Sequence, residues 1–386
     1  YKRQGLLSLD VHQNIEVRVF NPFPRRRSRL ISFIANFNIL NRRMHNKSFT
    51  VDNQVSVVGG RNIADEYYQL ESTGEFIDFD MLAVGPIVKE VSSEFDTYWN
   101  HELAIPFEVL FNTNDDEKLA KVRSQMEREL KAAGETIYGE AISTPLLKQL
   151  SDQSVSPYIA EARLIADDPQ KLLEAVSQDQ QYVANEMRDV LLGAEQNIFI
   201  MTPYFIPGKQ GMDLIRRIRE KGVRIVIVTN SLATNNHTSV HSAYSKYRKD
   251  LLRAGVELWE ARADAAKIVD EDGTSMLDKL TLHTKGLMVD EKRVFVGSLN
   301  LDPRSIDINT EMGLLIDSEE LGALFRNNVR KQVPEMAYRL ELDENDKITW
   351  HATIDGEKVI ETKDPQTSGW NRFTAWLLKI APEKQL

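Results

Sequence analysis

The stretch LHTKGLMVDEKRVFVGSLN, residues 282–300, is written a second time nearer the start of the chain, where residues 42–62 read RRMHNKSFTVDNQVSVVGGRN. Both copies place His, Lys, Asp, Gly and Asn in the same order, with 17 positions from His to Asn and 7 from His to Asp. A repeat held to that spacing obliges the chain to build one unit twice. The unit reads as a hairpin. Residues two apart on a strand share a face, so His283, Lys285, Leu287 and Val289 line one side, polar at the mouth and apolar further in. Asp290-Glu291-Lys292 is the turn and Val294-Phe295-Val296 the returning strand. With the turn centred near residue 291, paired positions sum to about 582, and His283 falls opposite about residue 299. Ser298 and Asn300 then come back beside His283 and Lys285. An imidazole, an ammonium, a hydroxyl and a carboxamide at one hairpin end suit a phosphoryl group. Lys, Ser and Asn neutralise and hold its oxygens, while His attacks phosphorus or shuttles a proton.

The complete sets are His45, Lys47, Asp52, Gly59, Gly60 and Asn62 in copy one, and His283, Lys285, Asp290, Gly297, Ser298 and Asn300 in copy two. Together they resemble the phospholipase D superfamily, whose signature HxKx4Dx6GSxN occurs once per lobe of a two-lobed molecule. Gly60 stands where Ser is usual, so copy one offers backbone N–H there in place of a hydroxyl. Such double-glycine first copies are familiar in the bacterial lipid-synthesising branch. The resemblance runs along essentially the whole chain to bacterial cardiolipin synthases, the C type above all, through Asn14–Pro22, Arg42–Tyr67, Thr202–Gly208, Asn300–Asp317 and a Trp-rich end. It implies an α/β fold of two similar phospholipase D-like lobes, each a mixed, mostly parallel sheet flanked by helices, with the active site at the lobe interface.

Composition narrows the partners. A net charge of −10 counts against the broad basic footprint a nuclease needs, so no nucleic acid is expected. The absence of Cys excludes disulfides and thiolate metal sites. No cofactor and no metal are implied: the signature lysines supply positive charge, and the sequence offers no metal-ligand cluster. No apolar run reaches the roughly 18–20 residues of a membrane span. Two segments nonetheless suit a lipid surface. Arg25-Arg26-Arg27-Ser28-Arg29 and Arg42-Arg43 flank an apolar run from Leu30 to Leu40. The tail sets Trp370, Phe373 and Trp376 on a short amphipathic stretch. A core helix with solvated ends and a tail docked on its own lobe are the plain alternatives.

The repeat also sets the domain division. Lobe one covers 1–150, including a polar connecting segment, and lobe two covers 151–386. A strand at Ile198 begins 85 residues before His283, whereas 44 residues precede His45. Lobe one is therefore expected to be N-terminally incomplete, short by about 41 residues if the lobes match. Lobe two alternates strand 198–202, helix 210–221, strand 223–229, helix 243–254 and strand 256–260 ahead of its hairpin, the pattern of a largely parallel sheet. Residues 334–363 read as β-rich, with Asp355-Gly356 as a hairpin turn.

The family resemblance implies a mechanism. One neutral histidine attacks phosphorus and forms a phosphohistidine, and the other, protonated, gives its proton to the leaving alkoxide and later takes one from the incoming alcohol. The resemblance favours His45 as nucleophile and His283 as acid/base. Glu311 lies where the family places a carboxylate that orients imidazole, and Asp78 is its match in copy one. Asp52 and Asp290 belong to the signature, but the pairing puts them at the hairpin turns. Arg304 would bind a headgroup or brace its loop, and His241 falls in a run similar to a groove-lining segment. The implied activity moves phosphatidyl from phosphatidylethanolamine or phosphatidylglycerol onto phosphatidylglycerol, at the cytoplasmic face of a bacterial inner membrane, with a protein partner left open. Hydrolysis by a phospholipase D or nuclease, and an inactive membrane-binding scaffold, are the rival readings.

Overall fold

The computed structural model describes residues 12–22, 41–64, 75–111, 156–173, 182–265 and 280–380, together with residues 6, 9–10, 67, 120–121, 124–128, 131, 152, 154 and 383. The apolar run from Leu30 to Leu40, its Arg25–Arg29 cluster and most of the connecting segment 112–151 lie outside the described residues.

In chain order the strands and helices are β1 (Arg18–Phe20), β2 (Ser48–Val51), β3 (Val55–Gly59), β4 (Glu75–Ile77), β5 (Asp80–Val84), α1 (Ile87–Trp99), β6 (Ala104–Pro106), α2 (Phe107–Leu110), β7 (Glu161–Ala166), α3 (Tyr182–Leu192), β8 (Asn197–Met201), α4 (Gly208–Glu220), β9 (Arg224–Asn230), α5 (Thr238–Tyr244), α6 (Arg248–Arg253) and β10 (Glu257–Ala261). They continue as β11 (Leu280–Leu282), β12 (Gly286–Val289), β13 (Arg293–Gly297), α7 (Pro303–Asp307), β14 (Met312–Asp317), α8 (Glu319–Met336), β15 (Ala337–Leu342), β16 (Ile348–Ile354), β17 (Glu357–Glu361) and α9 (Gly369–Leu377).

Contacts group the chain into two compact units, residues 1–43 with 96–159, and residues 44–95 with 160–386. This grouping cuts across the 1–150 and 151–386 division of the repeat. The physical reason is pairing between the two copies. β4 from copy one runs parallel to β11 from copy two, and Met44 bridges to Thr310. The first unit holds the antiparallel β1–β6 pair, with the Arg18 guanidinium 4.5 Å from the centre of the Trp99 ring and donating to the Trp99 carbonyl.

The second unit is built on a ten-stranded mixed sheet in the order β17-β16-β15-β10-β9-β8-β12-β13-β14-β7. Only β8–β9 and β9–β10 pair in parallel, and every other neighbouring pair is antiparallel. The expectation of a mostly parallel sheet is corrected here. The helical crossovers span only β8 to β10, and hairpins add antiparallel strands on both sides. The other departure is the stretch 243–254, which forms two short helices, α5 and α6, in place of one. Apolar residues from α3, α4, α5 and α6 pack on one face of this sheet, and Val333 and Leu321 of α8 lie in the cluster on the other.

Copy one forms a separate three-stranded sheet, β2-β3-β5, whose pairing matches β12-β13-β14. The hairpin register follows the sequence reading: Gly286 pairs with Val296 and Val289 with Arg293. Both hairpins turn through consecutive left-handed residues, Asp52 and Asn53 (φ 50° and 53°) and Asp290 and Glu291 (φ 54° and 53°). Asp and Asn tolerate that region because their short polar side chains bond locally. Among the described residues, no helix is long and apolar enough to cross a membrane.

Candidate active site

The two motifs meet through an exchange of partners. His45 Nδ1 lies 2.8 Å from Glu311 Oε2, and His283 Nδ1 lies 2.6 Å from Asp78 Oδ2. Each imidazole is thus oriented by the carboxylate of the other copy. The main chain crosses in the same way. His45 N–H donates to the Thr310 carbonyl at 3.0 Å and His283 N–H to the Ile77 carbonyl at 2.8 Å, the residues just before Glu311 and Asp78. Both motif histidines are held at the backbone and at Nδ1, which leaves Nε2 as the ring atom for chemistry.

Register explains why Asp78 and Glu311 are equivalent although they sit at different distances from their motifs. Gly59 pairs with Asp80 and Gly297 with Gly313, so each carboxylate is two residues before the partner of its motif glycine. A Cβ at Gly297 would stand 2.3 Å from the Met312 carbonyl oxygen, and one at Gly59 would stand 2.7 Å from the Asp80 Cα, so neither strand tolerates a side chain there. The next position differs between copies. Ser298, fully buried, donates to Glu311 Oε2 at 2.5 Å and accepts from the Met312 N–H at 3.0 Å. Its hydroxyl therefore holds a carboxylate, not the phosphoryl oxygen the sequence reading gave it. Gly60 occupies the matching place, and a Cβ added to it would fall 2.4 Å from Asp78 Oδ1. Asp is one methylene shorter than Glu and must approach closer, so glycine goes with Asp78 and serine with Glu311. Gly60→Ser, although it restores the usual residue of the signature, is expected to push Asp78 off His283 and lower kcat about 100-fold. Adding Asp78→Glu should recover part of that loss, measured as turnover of a soluble phosphodiester.

The lysines face their own histidines. Lys47 Nζ donates to the His45 carbonyl at 2.8 Å, and Lys285 Nζ donates to the His283 carbonyl at 2.6 Å while lying 2.9 Å from His283 Nδ1. An ammonium has three N–H donors, so one bond to a carbonyl leaves others for a phosphoryl oxygen. Burial pulls Lys47 down to about 8 and Lys285 to about 7. Burial also lowers His45, against the pull of Glu311, and brings His283 to about 4. Glu311 is fully buried; burial works against its charge, but His45 and Lys47 outweigh it and hold it below the usual carboxylate range. Burial thus works against positive charge on both lysines and both imidazoles, and a phosphodiester anion beside them would favour their protonation. His45 keeps 25% of its side-chain surface open against 8% for His283. That difference suits attack by His45 on an incoming lipid.

The remaining expected residues fall into place around this centre or away from it. Asn62 Nδ2 donates to the Tyr67 hydroxyl, and Asn300 is buried beside Ser298 with no hydrogen bond to its Oδ1 among the described residues. Asp290 accepts the main-chain N–H of Glu195, Gln196 and Asn197, so it ties the hairpin tip to the start of β8. Asp52 sits exposed in the matching turn. Arg304 lies in α7, which Asp302 caps through the Ser305 N–H, and its carbonyl accepts from Ile308 and Asn309. His241 does not join the two motif histidines. It is buried against Arg248, 2.9 Å away, and Arg248 is gripped by Glu260 and Asp364.

Two features had no sequence signal strong enough to assign them. Asp167, paired with Lys171 at 2.8 Å, accepts the Glu311 N–H at 2.9 Å from 144 residues away. Tyr67 places its hydroxyl 3.1 Å from His283 Nε2.

Residues 187–332 match the family model described as "Cardiolipin synthase, PLD-like domain". Cardiolipin synthase C of Escherichia coli (strain K12) is 36% identical over 98% of this chain and 80% of that protein. An uncharacterized protein of Helicobacter pylori (strain J99) is 30% identical over 99% of this chain and 75% of its own length. Among solved structures, the phosphatidylserine synthase of Haemophilus influenzae Rd KW20 superposes with a TM-score of 0.51 at 15% identity, covering 87% of this chain and 68% of that one. That last likeness is one of fold.

Proposed function

We propose that this chain, which belongs to the cardiolipin synthase family of phospholipase D-like proteins, is a phosphatidyltransferase that makes cardiolipin from phosphatidylglycerol and a second phospholipid. The crossed pairs His45–Glu311 and His283–Asp78 carry the reading. They supply two imidazoles in different settings around one place, which a double displacement at phosphorus requires. His45, the more open, attacks phosphorus to form a phosphatidyl-histidine. His283 protonates the leaving alkoxide and then takes the proton of the incoming glycerol hydroxyl. Lys47, Lys285 and Asn300 stand ready for the non-bridging oxygens, where the transition state gathers charge. Glu311 and Asp78 keep each Nδ1 engaged so that Nε2 reacts, the part a triad carboxylate plays beside its histidine.

The lipid reading has support away from the chemistry. α9 packs on α5 and buries Ala375, yet Trp370, Phe373 and Trp376 stand 71%, 49% and 64% exposed. Their rings form a row, with centroids 5.7 and 6.1 Å apart. Aromatic side chains in such a row suit the headgroup level of a bilayer, so the helix is both docked and available to a membrane surface. Peripheral attachment at the cytoplasmic face of a bacterial membrane is part of this proposal.

The test is a vesicle assay. With phosphatidylglycerol vesicles, with and without phosphatidylethanolamine, the protein should sediment with the vesicles and form cardiolipin. A higher yield with phosphatidylethanolamine would identify that lipid as donor. Phosphatidic acid without cardiolipin would replace the transferase reading by a hydrolase.

A further inference from the structure

Tyr67 stands between the copies of the motif, and its hydroxyl is fixed from several sides. Asn62 Nδ2 donates to Oη at 2.7 Å, and Oη lies 3.1 Å from His283 Nε2. The ring stacks on Phe76 with centroids 4.8 Å apart and meets the His283 ring edge-on at 5.0 Å. The Tyr67 carbonyl accepts from the Arg61 guanidinium, which Asp80 holds in turn. The residue is 6% exposed.

The donor sense of this chain is set by its ends. The Asn62 amide nitrogen can only donate, so Oη accepts there and keeps its own proton for His283. His283 Nε2 then presents a lone pair, which Lys285 Nζ also approaches at 3.2 Å, and Nδ1 carries its proton toward Asp78. This arrangement has a chemical counterpart. A general base removes a proton from an alcohol whose oxygen lies about 3 Å from its nitrogen with the O–H aimed at it. Tyr67 meets that description. Its oxygen sits where the acceptor oxygen of the second half-reaction must sit, with Asn62 as a second contact.

Resting on the transferase reading, we propose that Tyr67 fills the acceptor-oxygen position and keeps water from His283 until a lipid alcohol displaces it. In the step that follows, the acceptor oxygen bonds to phosphorus, the phosphorus–nitrogen bond to histidine breaks, and the acceptor proton passes to His283 Nε2. A water molecule brings only its own hydrogen bonds to displace the phenol. A phosphatidylglycerol headgroup brings the binding of the whole lipid, so the position discriminates transfer from hydrolysis.

Tyr67→Phe keeps the ring and its stacking and removes the one oxygen. In phosphatidylglycerol vesicles this variant is expected to raise the ratio of phosphatidic acid to cardiolipin about tenfold, the worth of one hydrogen bond in the partition. A second readout does not depend on lipid transfer. With a soluble p-nitrophenyl phosphodiester, water is the only acceptor, and the steady hydrolysis rate of Tyr67→Phe should exceed that of the wild type. Phe76→Leu, which loosens the ring from the other side, should move both readouts in the same direction. An unchanged product ratio and hydrolysis rate in Tyr67→Phe, or an equal fall in both products, would overturn the proposal. If wild type makes no cardiolipin while hydrolysis still rises in Tyr67→Phe, the transferase reading fails and the water-excluding role of Tyr67 stands.

Discussion

His45→Ala and His283→Ala are each expected to abolish lipid turnover, with a fall on the order of 10^4 to 10^6 as for other nucleophile and acid/base losses, and to do so at different steps. The nucleophile is needed to form any covalent intermediate. The acid is needed only when the leaving oxygen must be protonated. A p-nitrophenolate leaves without a proton, so His283→Ala should release about one equivalent of it from a p-nitrophenyl phosphodiester and then stop, because no base activates the water. His45→Ala should release none. Rapid mixing with absorbance at the p-nitrophenolate band measures both. The reverse pattern, a burst in His45→Ala only, would exchange the two roles without disturbing the geometry.

The second large effect tests the exchange of carboxylates. Glu311→Gln and Asp78→Asn are each expected to lower kcat about 10^2- to 10^4-fold, the scale of losing the carboxylate that sets a catalytic histidine's tautomer. If His45 attacks, Glu311→Gln slows the first step with every substrate, since its target is His45. Asp78→Asn acts on His283, so the activated leaving group should restore its first step close to the wild-type rate. The neighbouring residue of the same copy predicts the opposite: Glu311→Gln would then mimic loss of His283, and Asp78→Asn loss of His45. A kcat and KM comparison on the lipid and on the activated substrate separates the two.

This exchange marks where sequence reasoning stops. The motif hairpin could be placed to the residue because strand periodicity and the Asp-containing turn act over a few positions; Gly286 does pair with Val296. The candidates Glu311 and Asp78 could be named only from the family resemblance, which places an imidazole-orienting carboxylate at Glu311 and matches it with Asp78 in copy one. Their assignment could not, since each carboxylate stands 205 or 266 positions from the ring it serves. Nothing local distinguishes the histidine of its own copy from that of the other. The spacing brings the Ser298 hydroxyl beside His283 and suggests a phosphate ligand, but the β13–β14 register sets it against Glu311, to whose carboxylate it donates. His241 reads as a groove residue from its run, and only the tertiary fold shows it enclosed with Arg248 and Asp364. The antiparallel majority of the sheet was hidden for a related reason. The hairpins at 282–300 and 334–363 are legible, but their antiparallel docking beside the parallel strands, β12 on β8 and β15 on β10, is a non-local pairing that no local pattern carries. Tyr67 lies outside the six repeated positions, and its hydroxyl meets His283 across 216 positions of sequence, a distance no local pattern spans.

The most direct test of one composite site acting through a covalent intermediate is to locate that intermediate. Wild-type protein would be exposed to vesicles containing phosphatidylglycerol labelled at phosphorus, quenched in base, digested and mapped by mass spectrometry. Labelled phosphorus on His45, held by a phosphorus–nitrogen bond that survives base and breaks in acid, and lost as cardiolipin forms when unlabelled phosphatidylglycerol is added, is the predicted result. Cardiolipin formed with no adduct on either His45 or His283 would contradict the account.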